Sequence, residues 1–308
     1  MHLVLDNYIP LFLKENNFYP LSGYPATHFK NDFDLKNNKN DSFLINWGRN
    51  SDLGYNQSTI ETGFFKNAIH LDNHGLYQHS SLNLYDARNI IENYNIPYRF
   101  TVDDLETKLP QVTKKINWDG VVLAAQHPND RSIQMVGTVN NYYEFIKEAC
   151  NYYKNKLLIK VHPTNSVEIE QEYKDIAAPH GSLVERTSLS VIDDCEFIVT
   201  YNSTFTIDCI LRNKSVNQYA PGYFWNTGIV NYTKKNLSFK YNAPDNVYFS
   251  QFYNFLIWKY CFNMTENLES IHTIFKVFKN SNELFPLPEN LSYGQTLLNQ
   301  RQGNIDII

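Results

Sequence analysis

The sequence predicts an α/β protein built on a parallel sheet, and two motifs carry that prediction. Residues 160–163 (Lys-Val-His-Pro) follow the apolar run 157–159, and residues 200–204 (Thr-Tyr-Asn-Ser-Thr) follow the apolar run 197–199. Short apolar runs of this kind are typical of buried parallel strands. Because the carboxyl ends of neighbouring parallel strands open on one crevice, the two motifs also predict a ligand site.

The second motif indicates that this ligand is an anion. It runs into a helical pattern over residues 204–212, so the backbone amides near Ser203 and Thr204 are expected at the positive end of a helix dipole. Helix ends of this kind commonly bind phosphate. A nucleotide-binding domain is therefore expected here.

Composition sets the scale and narrows the class of function. The chain has 308 residues, 43% of them hydrophobic and 15% aromatic, which suffices for two domains with substantial cores. The formal net charge is −5 and no basic block occurs, which argues against nucleic acid as the main partner. The sequence contains neither a P-loop nor a Gly-x-Gly-x-x-Gly pattern.

The expected location is the cytoplasm, either free or attached peripherally to a membrane. The first residues lack a basic stretch followed by a long apolar one, and no apolar run is long enough to cross a bilayer. The cysteines form no Cys-x-x-Cys pair and are expected to be buried free thiols of a reducing compartment. They are Cys150, Cys195, Cys209 and Cys261.

Strands and helices alternate along the chain, which predicts three segments. Residues 1–118 are expected to form a first domain, and residues 119–235 are expected to form a second one that contains the nucleotide site. Residues 236–308 are expected to pack back on the first domain, with a helical pattern over 247–278. Predicted strands cover 42–46, 120–125, 157–161 and 196–200, and predicted helices cover 86–94, 140–154, 190–194 and 204–212, with 176–178 in a connection.

Further motifs occur in a fixed order between residues 43 and 232. Residues 47–49 (Trp-Gly-Arg), 61–66 (Glu-Thr-Gly-Phe-Phe-Lys) and 72–77 (Asp-Asn-His-Gly-Leu-Tyr) come first, and the pair Gln126 and Asp130 follows. The longest set comprises Thr200, Ser203, Asp208, Leu211, Arg212, Lys214 and Val216, and it continues into the aromatic segment 220–229. Together the motifs resemble those of the capsule-polysaccharide β-Kdo transferases, which are retaining glycosyltransferases. The resemblance implies a GT-B-like fold of two Rossmann-like domains facing a cleft.

The resemblance also implies site residues. Glu61 would be the nucleophile of a double displacement, and the alternative is a structural carboxylate that caps a turn at Gly63. Lys66 occupies a position at which the family has an arginine. Lysine keeps the positive charge of that arginine but cannot form its two parallel hydrogen bonds to a carboxylate. The residues expected at the donor sugar or the acceptor are Arg49, Lys66, Gln126 and Asp130.

The second domain is expected to hold the nucleotide. His162 could donate a hydrogen bond to a phosphate, and Asp208 would suit ribose hydroxyls. The alternatives are a structural histidine, a solvated carboxylate, and plain helix capping by Ser203 and Thr204. The residues assigned to the nucleotide are Lys160, His162, Ser203, Thr204, Asp208 and Gly222.

A metal site is the alternative interpretation of His70, His74 and His79. The first two have helical spacing, but residues 72–75 have the composition of a turn and no carboxylate cluster accompanies them. We therefore expect no metal and no cofactor. Helix dipoles and cationic side chains would neutralise the phosphate instead.

The sequence thus predicts a metal-independent retaining glycosyltransferase. It would move Kdo or a similar acidic sugar from a CMP-activated donor to a glycan acceptor. Two alternatives remain, since a fold does not fix a donor: a transferase for another nucleotide sugar, and a non-catalytic glycan-binding protein.

Overall fold

The computed structural model describes residues 2–5, 42–47, 56–64, 68–72, 75–84, 87–93, 112–232, 237, 246–256 and 260–263. The chain divides into two compact units, one formed by Met1–Pro97 with Phe252–Ile308 and the other by Tyr98–Gln251. These limits differ from the expected boundaries after residues 118 and 235. The segment before residue 118 contacts the second unit, since the carbonyl of Lys114 accepts hydrogen bonds from Ser188 N (2.7 Å) and Thr187 Oγ1 (3.1 Å).

The first unit contains a mixed sheet. With strands numbered along the chain, its described elements are β1 (His2–Leu5), β2 (Ser42–Trp47), β3 (Asn56–Thr62), β4 (Ala68–Asp72), β11 (Cys261–Asn263) and α1 (Ala87–Glu92). Strands β1 to β3 run parallel, whereas β4 and β11 are antiparallel to their neighbours. The predicted strand at 42–46 is confirmed as β2, and the predicted helix at 86–94 is present as α1.

The second unit contains the predicted parallel sheet. In the described part of the chain its strands are β5 (Val121–Ala124), β6 (Leu157–Lys160), β7 (Leu183–Glu185), β8 (Phe197–Thr200), β9 (Val216–Gln218) and β10 (Asn231–Tyr232). They lie side by side in the order β10-β9-β8-β5-β6-β7. The helices are α2 (Arg131–Gln134), α3 (Val139–Tyr153), α4 (Val167–Ala177), α5 (Val191–Asp194) and α6 (Thr206–Leu211). A further helix, α7 (Asn246–Phe255), follows in the chain.

The central strands of this sheet are buried along their whole length, which explains why their sequences are uninterrupted apolar runs. Every residue of β5, β6 and β8 is buried. Helix α3 covers them with a stripe that includes Tyr142, Phe145 and Ile146. A capping box between Thr138 and Asn141 begins this helix.

The expectation that residues 176–178 lie in a connection is wrong. They lie at the C-terminal end of helix α4, and strand β7 follows. The helix has a sequence signal: Ser166 caps its N-terminus, and Glu168 and Glu170 occupy its first turn. The strand is harder to detect. It is a short edge strand, and its first residue, Leu183, is exposed, so its apolar pattern is weak.

The helix expected over residues 247–278 is also shorter in the structure. It ends at Phe255, and Cys261–Asn263 form strand β11, which pairs antiparallel with β4. Aromatic residues such as Phe262 fit a pleated strand as well as a helix, so pairing with a partner strand decides their structure. The sequence also predicts a helix that starts at Thr101 and a loose tail after residue 303, and both lie outside the described residues.

Two further expectations concern the cysteines and the membrane. All four cysteines are buried and free of disulfides, as predicted. Among the residues that the structure describes, none of the helices combines the length and apolar character needed to cross a membrane.

The loops at the carboxyl edge of the second sheet are joined through the side chain of Gln126, which follows β5. Its Nε2 donates to Asn202 Oδ1 and Ser132 Oγ, each at 3.0 Å, and its Oε1 accepts from Asn202 N at 3.1 Å. Asn202, which follows β8, donates through Nδ2 to the carbonyls of Ser132 (2.8 Å) and Pro221 (3.1 Å). The loops after β5, β8 and β9 therefore share one network of buried hydrogen bonds.

The backbone of Gln126 extends this network to the loop after β6. Its carbonyl accepts from Tyr173 Oη at 2.9 Å and from Asn165 Nδ2 at 3.3 Å, and its N–H donates to Tyr142 Oη at 2.7 Å. Gln126 is 3% exposed and Asn165 is 4% exposed. Hydrogen bonds this deeply buried hold the loops in one arrangement, because breaking them leaves polar groups unsatisfied.

Replacing Asn202 by alanine tests this network. Asn202→Ala removes partners of Gln126 and Ser132 in a buried place, so we expect the free energy of unfolding to fall by about 2–4 kcal/mol. Urea unfolding measures the change. The exposed Asn140 on α3 provides the control, since Asn140→Ala should cost less than about 0.5 kcal/mol. Equal losses in the two variants would contradict the role given to the network.

Candidate functional site at the carboxyl edge of the parallel sheet

Several of the residues predicted for the nucleotide, and one predicted for the donor sugar or acceptor, meet at the carboxyl edge of the second sheet. Lys160 is the last residue of β6, and His162 lies two residues further on. Asp130 follows β5, and Asp208 lies in helix α6 after β8. Their charges act on one another: Asp130 and Lys160 both influence the pKa of His162, and Asp208 influences that of Lys160.

Lys160 is the most unusual charge at this edge, because its side chain is only 6% exposed. Its Nζ lies over the ring of Phe205, 5.6 Å from the ring centroid, where a cation is attracted by the π-electrons. Burial lowers the pKa of Lys160, while the Asp208 carboxyl opposes that shift. Among the described residues, no carboxylate oxygen lies within 4.0 Å of its ammonium group.

Asp208 lies in the first turn of α6 and is half-buried. Burial raises the pKa of its carboxyl to about 6, although the positive charges of Arg212 and Lys160 oppose the shift. Arg212 is itself engaged by Asp193, at 2.8 and 2.9 Å. The charge of Asp208, and with it the field at Lys160, therefore changes close to neutral pH.

His162 is half-buried and bonded within its own loop. Its Nδ1 accepts a hydrogen bond from Thr164 N at 3.3 Å and lies 2.8 Å from Thr164 Oγ1. Burial lowers the pKa of His162; Asp130 opposes the shift, and Lys160 and His127 add to it. With Nδ1 as the acceptor, the proton of the neutral ring lies on Nε2, which can donate it to a ligand.

Ser203 and Thr204 lie before helix α6 rather than in its first turn. The helix begins at Thr206, not at residue 204 as expected. Ser203 N donates to Thr200 Oγ1 at 3.2 Å, and Ser203 Oγ accepts from Phe205 N at 3.1 Å. The Ser203 amide is therefore bonded within the protein, which corrects the expected outward-pointing amide; Thr204 is exposed, and its role stays a prediction.

Asp130, one of the residues expected at the donor sugar or acceptor, begins helix α2. Its Oδ1 accepts from Ser132 N at 2.8 Å, and the residue is half-buried. Gln126, predicted in the same role, uses both ends of its amide inside the protein. The structure thus gives Gln126 a part in shaping the edge, and contact of either residue with a sugar stays a prediction.

Gly222, expected near the nucleotide, is required by packing. A Cβ at this position would lie 2.9 Å from both the Cβ and the backbone oxygen of Asn202. Contacts this short do not occur without movement of the backbone. Glycine therefore lets the loop after β9 approach the loop after β8, whatever ligand is bound.

Glu61 belongs to the first unit, where it lies in β3 and is half-buried. It pairs across the strands with His70 of β4, so their side chains share one face of the sheet. His70 stacks between the rings of Phe64 and Tyr260, with centroids at 5.1 and 5.3 Å. Arg49 and Lys66 lie outside the described residues, as does His74.

The buried carboxylate of Asp72 supports this part of the first unit. It accepts hydrogen bonds from Tyr260 Oη (2.6 Å), from Ser80 Oγ (2.9 Å) and from the N–H and hydroxyl of Ser81 (2.8 and 2.9 Å).

Within the described part of the chain, no group of three His, Cys, Asp or Glu residues is arranged to hold a metal ion.

Two residues of the edge were missed by the sequence analysis. Asn202 was part of a recognised motif but had no role, although it contacts Gln126 from 76 positions away. Phe205, which lies beneath the Lys160 ammonium group, was assigned only to a helical pattern. Both roles depend on tertiary contacts. The sequence offered one indication of them, which is that both residues lie in the segment that follows the predicted strand 196–200.

The raised pKa of Asp208 leads to a test of pH dependence. Because the folded protein binds this proton more tightly than the unfolded chain, ionisation of Asp208 costs stability as the pH rises from about 4 to about 6. Asp208→Asn should therefore unfold like the wild type near pH 4 and be more stable above pH 6, by at most about 3 kcal/mol. Urea unfolding at several pH values measures this difference. The exposed Asp119→Asn serves as control, and a pH-independent difference for Asp208→Asn would contradict the assignment.

Comparison with known proteins identifies the fold. No protein-family model matches the sequence, and no curated protein matches it significantly. Among solved structures, the chain is similar to KpsC β-Kdo 2,7 transferase of Thermosulfurimonas dismutans, with a TM-score of 0.52 and 14% identity over 84% of this chain and 91% of that one. KpsC β-Kdo 2,4 transferase of the same organism gives 0.50 and 13%, over 82% and 89%. The chain thus has the GT-B-like α/β fold of the capsule β-Kdo transferases, as its motifs predicted.

Proposed function

We propose that the protein is a glycosyltransferase whose donor nucleotide binds at the carboxyl edge of the parallel sheet. The observation that carries this proposal is the buried ammonium group of Lys160. A cation removed from water without a close counter-ion costs several kcal/mol, so its presence calls for a compensating role. The phosphate of a nucleotide sugar would supply the missing charge.

The surroundings of Lys160 suit a phosphate. His162 can donate from Nε2 and follows Lys160 by two residues. The charge of Lys160 acts on the His162 ring, so we propose that a single phosphate accepts from both side chains. When the sugar leaves a CMP donor, the charge on the phosphate grows. Cations fixed in a site of low polarity stabilise that growing charge more strongly than water does.

The identity of the donor rests on the resemblance of the sequence motifs, because a fold alone does not fix a donor. The resemblance supports an acidic 2-keto sugar such as Kdo carried by CMP, with a glycan as acceptor. Arg49 and Lys66 are proposed to attract the carboxylate of this sugar or an acidic acceptor, through their positive charge. We propose no metal in this step, because Lys160 and His162 would meet the phosphate charge.

The proposed chemistry is a double displacement with retention. The Glu61 carboxylate attacks the anomeric carbon, the bond from that carbon to the phosphate oxygen breaks, and CMP leaves with the electron pair. An acceptor hydroxyl then attacks the same carbon, loses its proton to a neighbouring base or to water, and releases Glu61 as a carboxylate. Two inversions at one carbon preserve its configuration.

Replacing Lys160 by methionine tests the effect of its charge on nucleotide binding separately from its effect on stability. Lys160→Met removes the charge but keeps most of the volume, so CMP should bind at least about 10-fold more weakly. The free energy of unfolding should rise by about 1–2 kcal/mol, because a buried charge is gone. Calorimetric titration and urea unfolding measure the two effects.

The control is Lys147→Met, which alters an exposed lysine of α3 and should leave both values unchanged. The panel of ligands is CMP, CDP, UMP, UDP and GDP. A response to UDP or GDP alone would keep the transferase and replace the donor. No response of the wild type to any nucleotide would contradict the proposal and favour a glycan-binding protein without catalysis.

Trapping the reaction without acceptor tests Glu61. With a CMP-sugar alone, the wild type should accumulate a covalent sugar adduct, and peptide mapping by mass spectrometry should place it on Glu61. Glu61→Gln should form no adduct and transfer no sugar while binding CMP normally, because an amide is a poor nucleophile. The control is the exposed Glu92→Gln in the same unit. An adduct on a different carboxylate would overturn the role given to Glu61.

A further inference from the structure

Arg186 makes an unusual set of contacts with the loop that contains His162. It directly follows edge strand β7, and its guanidinium reaches back to residues 163–166. Nη2 donates to the carbonyl of Asn165 at 2.6 Å, and Nη1 donates to the carbonyl of Pro163 at 3.2 Å. Nε donates to Glu170 Oε2 of helix α4 at 2.5 Å.

These contacts leave Arg186 little capacity to bind a ligand directly. A guanidinium has five N–H groups. One is used by Glu170, one by Pro163, and Nη2 is shared between Asn165 and the carbonyl of Ser166 at 3.4 Å. The planar fork of arginine therefore holds three carbonyls of one loop, which a lysine could not do with its single nitrogen.

The loop needs such support because its own hydrogen bonds are incomplete. Asn165 Oδ1 is buried and, among the described residues, has no hydrogen-bond partner. Leaving a polar atom in this state costs about 1–3 kcal/mol, so the contacts that hold the loop in this shape must offset that cost. The contacts with Arg186 and the bond from Asn165 Nδ2 to the Gln126 carbonyl hold the shape.

The supported carbonyls flank the residue that orients His162. Arg186 binds the carbonyls of Pro163 and Asn165, and Thr164 lies between them. Thr164 N and Oγ1 both contact Nδ1 of His162, which leaves the proton of the neutral ring on Nε2. The position of Arg186 is thus transmitted to the imidazole through two consecutive hydrogen-bonded steps.

We propose that Arg186 is a positioning residue that fixes loop 162–166 so that His162 Nε2 faces the phosphate of the donor. This role rests on the proposed nucleotide site. Pairing with Glu170 alone does not account for Arg186, since the Glu170 carboxylate already forms an ion pair with Lys174 at 2.8 Å. The guanidinium uses one nitrogen for Glu170 and directs the other two at the loop.

The test compares Arg186→Lys with Lys174→Met. Lysine keeps the positive charge beside Glu170 but cannot bind the carbonyls together, so CMP affinity should fall about 10-fold or more. Lys174→Met removes the other partner of Glu170 and leaves the carbonyl contacts, so CMP affinity should not change. Arg186→Ala should weaken CMP binding as much as lysine does, and added guanidinium ion should restore part of it.

A second measurement does not depend on the nucleotide. The titration of the His162 ring, followed by NMR without ligand, should move toward the ordinary pKa of histidine in Arg186→Lys, because a loosened loop exposes the ring to water. Asp130, Lys160 and His127 also act on this ring and are unchanged in the variant.

The outcomes are distinct. If the wild type binds no nucleotide but the His162 titration shifts, the proposed function fails and the positioning role stands. If Arg186→Lys is folded, binds CMP like the wild type and leaves the His162 titration unchanged, the positioning role is overturned. Partial rescue of CMP binding in Arg186→Ala by guanidinium ion would support the positioning role. If Lys174→Met lowered the affinity for CMP as much as Arg186→Lys does, the effect would belong to the ion pair of Glu170 instead.

Discussion

Gln126 joins the loops on which the candidate site is built. Its amide binds the loop after β8 through Asn202, its carbonyl binds the loop after β6 through Asn165, and its N–H binds Tyr142 of α3. Each of these groups is buried, so a change in one loop leaves an unsatisfied polar atom in another. The carboxyl edge of the sheet is therefore a single rigid arrangement, and Lys160 and His162 have their positions because of it.

The network also holds a buried charge, that of Lys160, in place. Lys160 lies over the Phe205 ring, and Asp208 faces it from beyond ion-pair distance with a pKa near 6. Such an arrangement opposes stability, since both ionised groups are partly removed from water. The proposed function offers a reason for this cost, because a cation that is to bind a phosphate cannot already be neutralised by a carboxylate of the protein.

The sequence predicted the central parallel strands well, because β5, β6 and β8 are buried on both faces and appear as short apolar runs. It did not predict the outer strands of that sheet, such as the edge strand β7 that begins with the exposed Leu183. It also missed β11, whose pairing with β4 links residues more than 190 positions apart. The sequence placed Lys160 and His162 at the end of a strand, where the structure has them, and their contact with a nucleotide stays a prediction. The contacts of Asn202 and Arg186 were not predicted, because each involves residues from another segment of the chain.

A crystal structure of the protein with CMP would test the central claim most directly. The account predicts a phosphate oxygen within about 3 Å of Lys160 Nζ and of His162 Nε2, with the loops after β5, β6 and β8 unchanged. A nucleotide bound elsewhere on the protein, with Lys160 still lacking a counter-ion, would contradict the account.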